Sequence, residues 1–273
     1  MKPRHESLRL AAVTFGLGCL LCCDAEPDPR GEAITAVGVA SVAADESDDY
    51  GDWMDRPSSE WPHIAMINQI DYTDKHHPVA GCGFLLDTGD RILAATAKHV
   101  LLYFKSESMD SVAFEGTLKQ WRMFPKDSPE EIVVLDRLIN EDPEEPLQAG
   151  RSSTDTDWLL FTIKERSPKI QPLRLRSRPL QRGETVFVIG WRYTDTGRPQ
   201  VVYEGRFVES ERGSILTAIE ELADNTVPGL SGAPVIDAEG YLIGLMSKKA
   251  GRKERASSLD YPRSIIDGRG LQD

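Results

Sequence analysis

From Trp61 onward the chain is a succession of short apolar runs broken by turn signals, with almost none of the 3.6-residue rhythm of a helix. Runs of this kind bury one or both faces only as strands, and they predict eleven: 64–68, 80–86, 91–96, 118–124, 131–138, 158–163, 184–189, 201–209, 214–218, 233–236 and 242–247. Many short strands at regular spacing make an all-β sandwich or barrel, not a βαβ unit. Nothing repeats in the manner of a solenoid. Arg166-Ser167-Pro168 marks a break between two β halves, and 273 residues suffice for one large or two small domains.

The segment before Trp61 is of another kind. A basic start (Lys2, Arg4, Arg9) precedes an apolar run from Leu10 to Cys22, too short to span a bilayer comfortably and suited to an export signal over residues 1–25. Cleavage after Ala25 puts Cys23 at the −3 position. The run Leu20-Leu21-Cys22-Cys23 also resembles a lipoprotein signal with Cys22 or Cys23 as the lipid-bearing residue. The expected location is therefore outside the cytoplasm: periplasmic, secreted or lipid-anchored at the envelope. The only membrane contact expected is that N-terminal anchor. Residues 24–60 hold eleven acids against Arg30 and Arg56. Such a composition cannot bury enough apolar surface to offset chain ordering, so residues 26–60 read as an acidic disordered linker ahead of a domain at 61–273. A net charge of −12 argues against nucleic acid as a partner. Three of the four cysteines lie in the signal, leaving Cys82 without an intramolecular disulfide partner and most simply read as a buried small hydrophobe.

Three segments carry chemistry. Ile92 to Val100 is a strand that delivers His99 to the start of a short helical turn. Asp157 stands at the mouth of the apolar run Trp158-Leu159-Leu160-Phe161, where a carboxylate is costly to bury unless it accepts hydrogen bonds, as from an imidazole N–H. In Pro228-Gly229-Leu230-Ser231-Gly232-Ala233-Pro234 a serine lies between glycines ahead of a strand. Glycine at 229 permits φ > 0, which allows its N–H to point inward beside that of Ser231, as an oxyanion hole requires.

Together Thr96-Ala97-Lys98-His99, Asp157-Trp158-Leu159-Leu160 and Gly229-Leu230-Ser231-Gly232-Ala233-Pro234 resemble the three signatures of the trypsin-like serine peptidases in their bacterial form, over about residues 61–255. The order His, Asp, Ser suits the family's fold. That fold would be two successive six-stranded antiparallel β-barrels, about 61–165 and 170–255, with the active site between them. By the resemblance Ser231 is the nucleophile, His99 the general base and then acid, and Asp157 the residue that fixes the histidine. The N–H groups of Gly229 and Ser231 would form the oxyanion hole. The expected reaction is hydrolysis of protein or peptide bonds through an acyl-enzyme, with no metal or organic cofactor, at a rate that rises as His99 loses its proton. A non-catalytic binding or scaffold protein of the same fold is the alternative.

The departures from the family pattern carry expectations too. Leu230 stands where many animal members have an aspartate that captures a new N-terminus, so activation of that kind is not expected. Val100 replaces the cysteine that would bridge to Cys82. Asn225, Met246 and Ser247 are expected to line the primary specificity pocket, with Lys248 nearby.

Other chemistries fit less well. Asp87-Thr88-Gly89 and Asp195-Thr196-Gly197 echo an aspartic-peptidase dyad, but each is followed by a charged residue, and polar hairpin turns explain both. An α/β-hydrolase needs a histidine after its serine, and none follows His99. For the subtilisin order, Asp87 lies too close to His99. His76-His77 would point to opposite faces of an extended chain, with no third metal ligand spaced to join them.

Overall fold

The computed structural model describes residues 50–147, 154–195, 199–223 and 228–268. The expected signal and most of the expected linker lie outside them. Twelve strands form two closed rings. The first ring is β1 (Met66–Tyr72), β2 (Cys82–Asp87), β3 (Ile92–Thr96), β4 (Leu118–Phe124), β5 (Val133–Leu138) and β6 (Leu159–Arg166). The second is β7 (Thr185–Gly190), β8 (Val201–Glu211), β9 (Ser214–Ala218), β10 (Pro234–Asp237), β11 (Leu242–Ala250) and β12 (Lys253–Ser258).

Each ring follows the same antiparallel order. Three strands meander, and the fourth to sixth return so that the sixth pairs with the third and the fourth with the first. Closure removes the sheet edges that would otherwise template aggregation. The tight β2–β3 connection shows how local sequence sets register: the Asp87 carboxylate accepts the Gly89 N–H at 2.9 Å, and Gly89 takes φ +92°. Inside the first ring Trp121, Phe161 and Phe114 pack as one aromatic cluster, with the Trp121 and Phe161 centroids 4.9 Å apart. The second ring is filled by Val186, Val188, Tyr203, Val235 and Leu245, all inaccessible to solvent.

The two rings meet along a seam that includes the Cys82 N–H to Ser231 carbonyl bond at 2.7 Å and the Trp158 indole to Ser258 carbonyl bond at 3.0 Å. Trp158 thus packs between the rings, edge-on to Phe84. Gly232 is pinched in the seam: a Cβ there would stand 2.3 Å from the Cys82 carbonyl oxygen.

Beyond four short strands outside the rings (76–77, 111–112, 142–146 and 173–174) and a one-turn helix at 220–223, three features differ from the sequence reading. Residues 50–60, assigned to the linker for their acidity, are structured. Tyr50 donates to the Gly240 carbonyl and accepts the Arg174 N–H, and Trp53 is buried edge-on to Trp61, which itself meets Phe187 edge-on. Aromatic burial here outweighs the acidic composition, since one large side chain contributes about 1.5–3 kcal/mol. Strand β12 is additional; Lys253-Glu254-Arg255-Ala256-Ser257-Ser258 offers no apolar run, yet Glu254 and Ser257 are fully buried. Helix α1 (Val100–Tyr103) follows β3 as expected, whereas the C-terminal helix Asp260–Gly268 had no predicted counterpart.

Candidate active site

The end of β3 and the first turn of α1 present His99 at the mouth of the first ring. Asp157 sits just before β6, with no accessible surface. Ser231 lies in the turn that leads into β10 of the second ring. The three are joined: His99 Nδ1 is 2.7 Å from Asp157 Oδ2, and His99 Nε2 is 2.7 Å from Ser231 Oγ. The His99 backbone N–H also donates to Asp157 Oδ1 at 2.8 Å, so one residue holds both carboxylate oxygens. An ionised carboxylate can only accept, so the hydrogen of the neutral imidazole lies on Nδ1 and the Nε2 lone pair faces the serine hydroxyl.

Gly229 takes φ +106°, the left-handed conformation expected of it, and a Cβ there would stand 2.7 Å from both the Trp191 carbonyl oxygen and the Tyr193 nitrogen. Neither its N–H nor that of Ser231 meets a protein acceptor among the described residues. Behind this loop Cys82 is buried as expected. Its thiol is pushed up to about 12 by burial, and Sγ donates to the Gly229 carbonyl at 3.2 Å.

The three expected pocket residues separate. Asn225 lies outside the described residues. Met246 is 1% exposed and belongs to the core, because its backbone exchanges hydrogen bonds with Gly232 and Ala233 and its side chain turns inward. Ser247 turns its hydroxyl toward the site and donates to Asp157 Oδ2. It is a polar partner of the buried carboxylate that the sequence hides, since one serine in a strand carries no pattern. Lys98 was equally silent. It is 4% exposed, with Nζ 2.7 Å from Glu145 and 5.3 Å from the Tyr261 ring centre, so the short strand Asp142–Pro146 and the C-terminal helix are tied to the residue before His99.

The remaining motifs have other roles in the fold. Asp87-Thr88-Gly89 is the β2–β3 turn. Asp195 is buried against Arg192 and the Tyr203 hydroxyl, 2.8 Å away. Burial opposes its charge, yet these hydrogen bonds outweigh burial and hold its carboxyl below the ordinary value. His76 is bonded to Asp71 in a two-residue strand at the edge of β1. Among the described residues no three His, Cys, Asp or Glu side chains converge as metal ligands.

A family model described as a trypsin-like peptidase domain matches residues 81–245. Among solved structures, the Rv3671c protease from M. tuberculosis in its active form is similar, with a TM-score of 0.51 and 15% identity over 77% of this chain and 82% of that one. At that identity the likeness concerns the fold. No curated protein matches the chain in sequence.

Proposed function

The chain belongs to the trypsin-like peptidase family, and from that premise we propose that it is a serine endopeptidase acting through an acyl-enzyme on Ser231. The observation that carries the reading is the unbroken hydrogen-bond chain from Ser231 Oγ through His99 to the buried Asp157. Ser231 Oγ attacks the scissile carbonyl as its proton passes to His99 Nε2. Asp157, still ionised, stabilises the resulting imidazolium. His99 then protonates the departing amine, and the same base activates a water that hydrolyses the acyl-enzyme. The unpartnered N–H groups of Gly229 and Ser231 support an oxyanion hole, in which one donor is worth about 2.7–4 kcal/mol. Protein or peptide chains are the substrates the family implies. The N-terminal 25 residues are proposed to export the chain.

A fluorophosphonate probe tests this. The probe is expected to label Ser231 of the full chain, located by mass spectrometry, and to fail on Ser231→Ala and His99→Ala. Labelling that persists in His99→Ala at the wild-type rate would remove the general base from the mechanism.

A further inference from the structure

On the Asp157 side of the site lies an open cavity of about 540 Å³. One wall is Thr154-Asp155, two residues ahead of Asp157; another is Lys248, next to Ser247. The third is the β8–β9 turn, whose Gly213 packs so closely on Asp155 that a Cβ would stand 2.8 Å from that side chain. Two of its walls thus lie within two residues of side chains joined to His99 and Ser231, namely Asp157 and Ser247.

The cavity is cationic in a chain of net charge −12. Arg255 is engaged, 2.9 Å from Glu211 and 2.9 Å from Ser214 Oγ. Lys248 and Arg212 are exposed and have no ion-pair or hydrogen-bond partner among the described residues. With Glu211 neutralised by Arg255, two free cations face the single carboxylate of Asp155.

Arg212 adds an independent sign. Arg212-Gly213 is a two-residue hairpin turn with both residues at positive φ, +32° and +69°. Such turns select Asn-Gly or Asp-Gly, and an arginine held there is uncommon and strained. Backbone geometry gives no reason for arginine at 212, whereas its charge at the cavity rim does.

We propose that this cavity is a subsite for an acidic side chain of the substrate close to the scissile bond, with Lys248 and Arg212 as its carboxylate-binding residues. The proposal rests on the serine-peptidase reading and gives it a substrate class: chains with Asp or Glu at one fixed distance from the cut. Both cations are exposed, so the preference should be about five- to thirtyfold in kcat/KM for Asp over Lys at that position, and should shrink as salt is raised.

Digestion of a mixed peptide library by the full chain, with cut sites read by mass spectrometry, decides the matter. Wild type is expected to show Asp and Glu enriched at one position. Lys248→Glu/Arg212→Glu should lose or invert that enrichment, and Arg212→Asn, which relieves the turn, should weaken it in a folded protein. Fluorophosphonate labelling of Ser231 is measured on the same samples. Labelling and cleavage without acidic enrichment, or enrichment unmoved by charge reversal, would overturn the subsite and leave the peptidase reading standing. Absence of both labelling and cleavage would overturn both.

Discussion

Replacing Asp157 by Asn changes one atom, and the hydrogen bonds around it fix what must follow. Three donors converge on the carboxylate: the His99 backbone N–H on Oδ1 at 2.8 Å, and His99 Nδ1–H at 2.7 Å together with the Ser247 hydroxyl on Oδ2. An amide offers one acceptor oxygen and one NH2. If the NH2 replaces Oδ1 it faces a backbone N–H that cannot turn away, and Asp157 itself has no accessible surface at which water could intervene. The oxygen therefore stays at the Oδ1 position and the NH2 points at Nδ1. The Ser247 hydroxyl can rotate to accept, but the imidazole can respond only by moving its hydrogen to Nε2. That hydrogen then faces Ser231 Oγ, and the serine has no base. The expected loss is about 10⁴-fold in kcat, equivalent to about 5.5 kcal/mol of transition-state stabilisation. The assay is the rate of fluorophosphonate labelling of Ser231 at neutral pH beside turnover of an activated ester, with circular dichroism to confirm the fold. A folded Asp157→Asn protein that loses less than tenfold would refute the argument that this carboxylate sets the histidine tautomer.

Further outcomes follow from the same structure. Ser247→Ala removes a donor from a fully buried carboxylate, so thermal unfolding should fall by roughly 3–12 °C, from about 1.5–3 kcal/mol; an unchanged melting temperature would count against the bond. Gly232→Ala and Gly116→Ala make a matched pair, since both glycines have positive φ but only Gly232 meets neighbours within 4 Å. The first should cost more than about 3 kcal/mol and the second about 1 kcal/mol in denaturant titration. Asp195 has a lowered carboxyl value in the folded chain, so its contribution is present above the unfolded value of about 3.9 and is lost as pH falls through the folded one. Asp195→Asn should therefore be less stable at neutral pH and decline less steeply below about pH 4, and parallel pH curves would contradict this.

What could be read in the sequence divides by physical cause. Eleven strands announce themselves because their apolar residues alternate or run on, while β12 is buried through the polar residues Glu254, Ser257 and Ser258, which leave no hydropathy trace; Glu254 Oε2 accepts the Ile219 N–H at 3.1 Å. His99, Asp157 and Ser231 were legible since each sits beside glycines or at a strand mouth in a spacing that packing alone does not require. Met246 and Ser247 are adjacent and face opposite ways, the first into the core and the second onto Asp157, and the apolar pattern of 242–247 carries no register that tells them apart. The acidity of 50–60 concealed Tyr50, Trp53 and Trp61, whose contacts lie far off in the chain.

The two rings share one strand order, and each closes on itself. His99 and Asp157 ride on one closed body and Ser231 on the other, so the gap between Nε2 and Oγ works as a gauge of how the two are aligned. A slip of an ångström along the seam would leave every strand paired and every core filled, yet part His99 from Ser231. Gentle denaturant, or a substitution at Trp158 or Gly232, should therefore silence Ser231 while spectroscopic probes of either ring still report an intact protein.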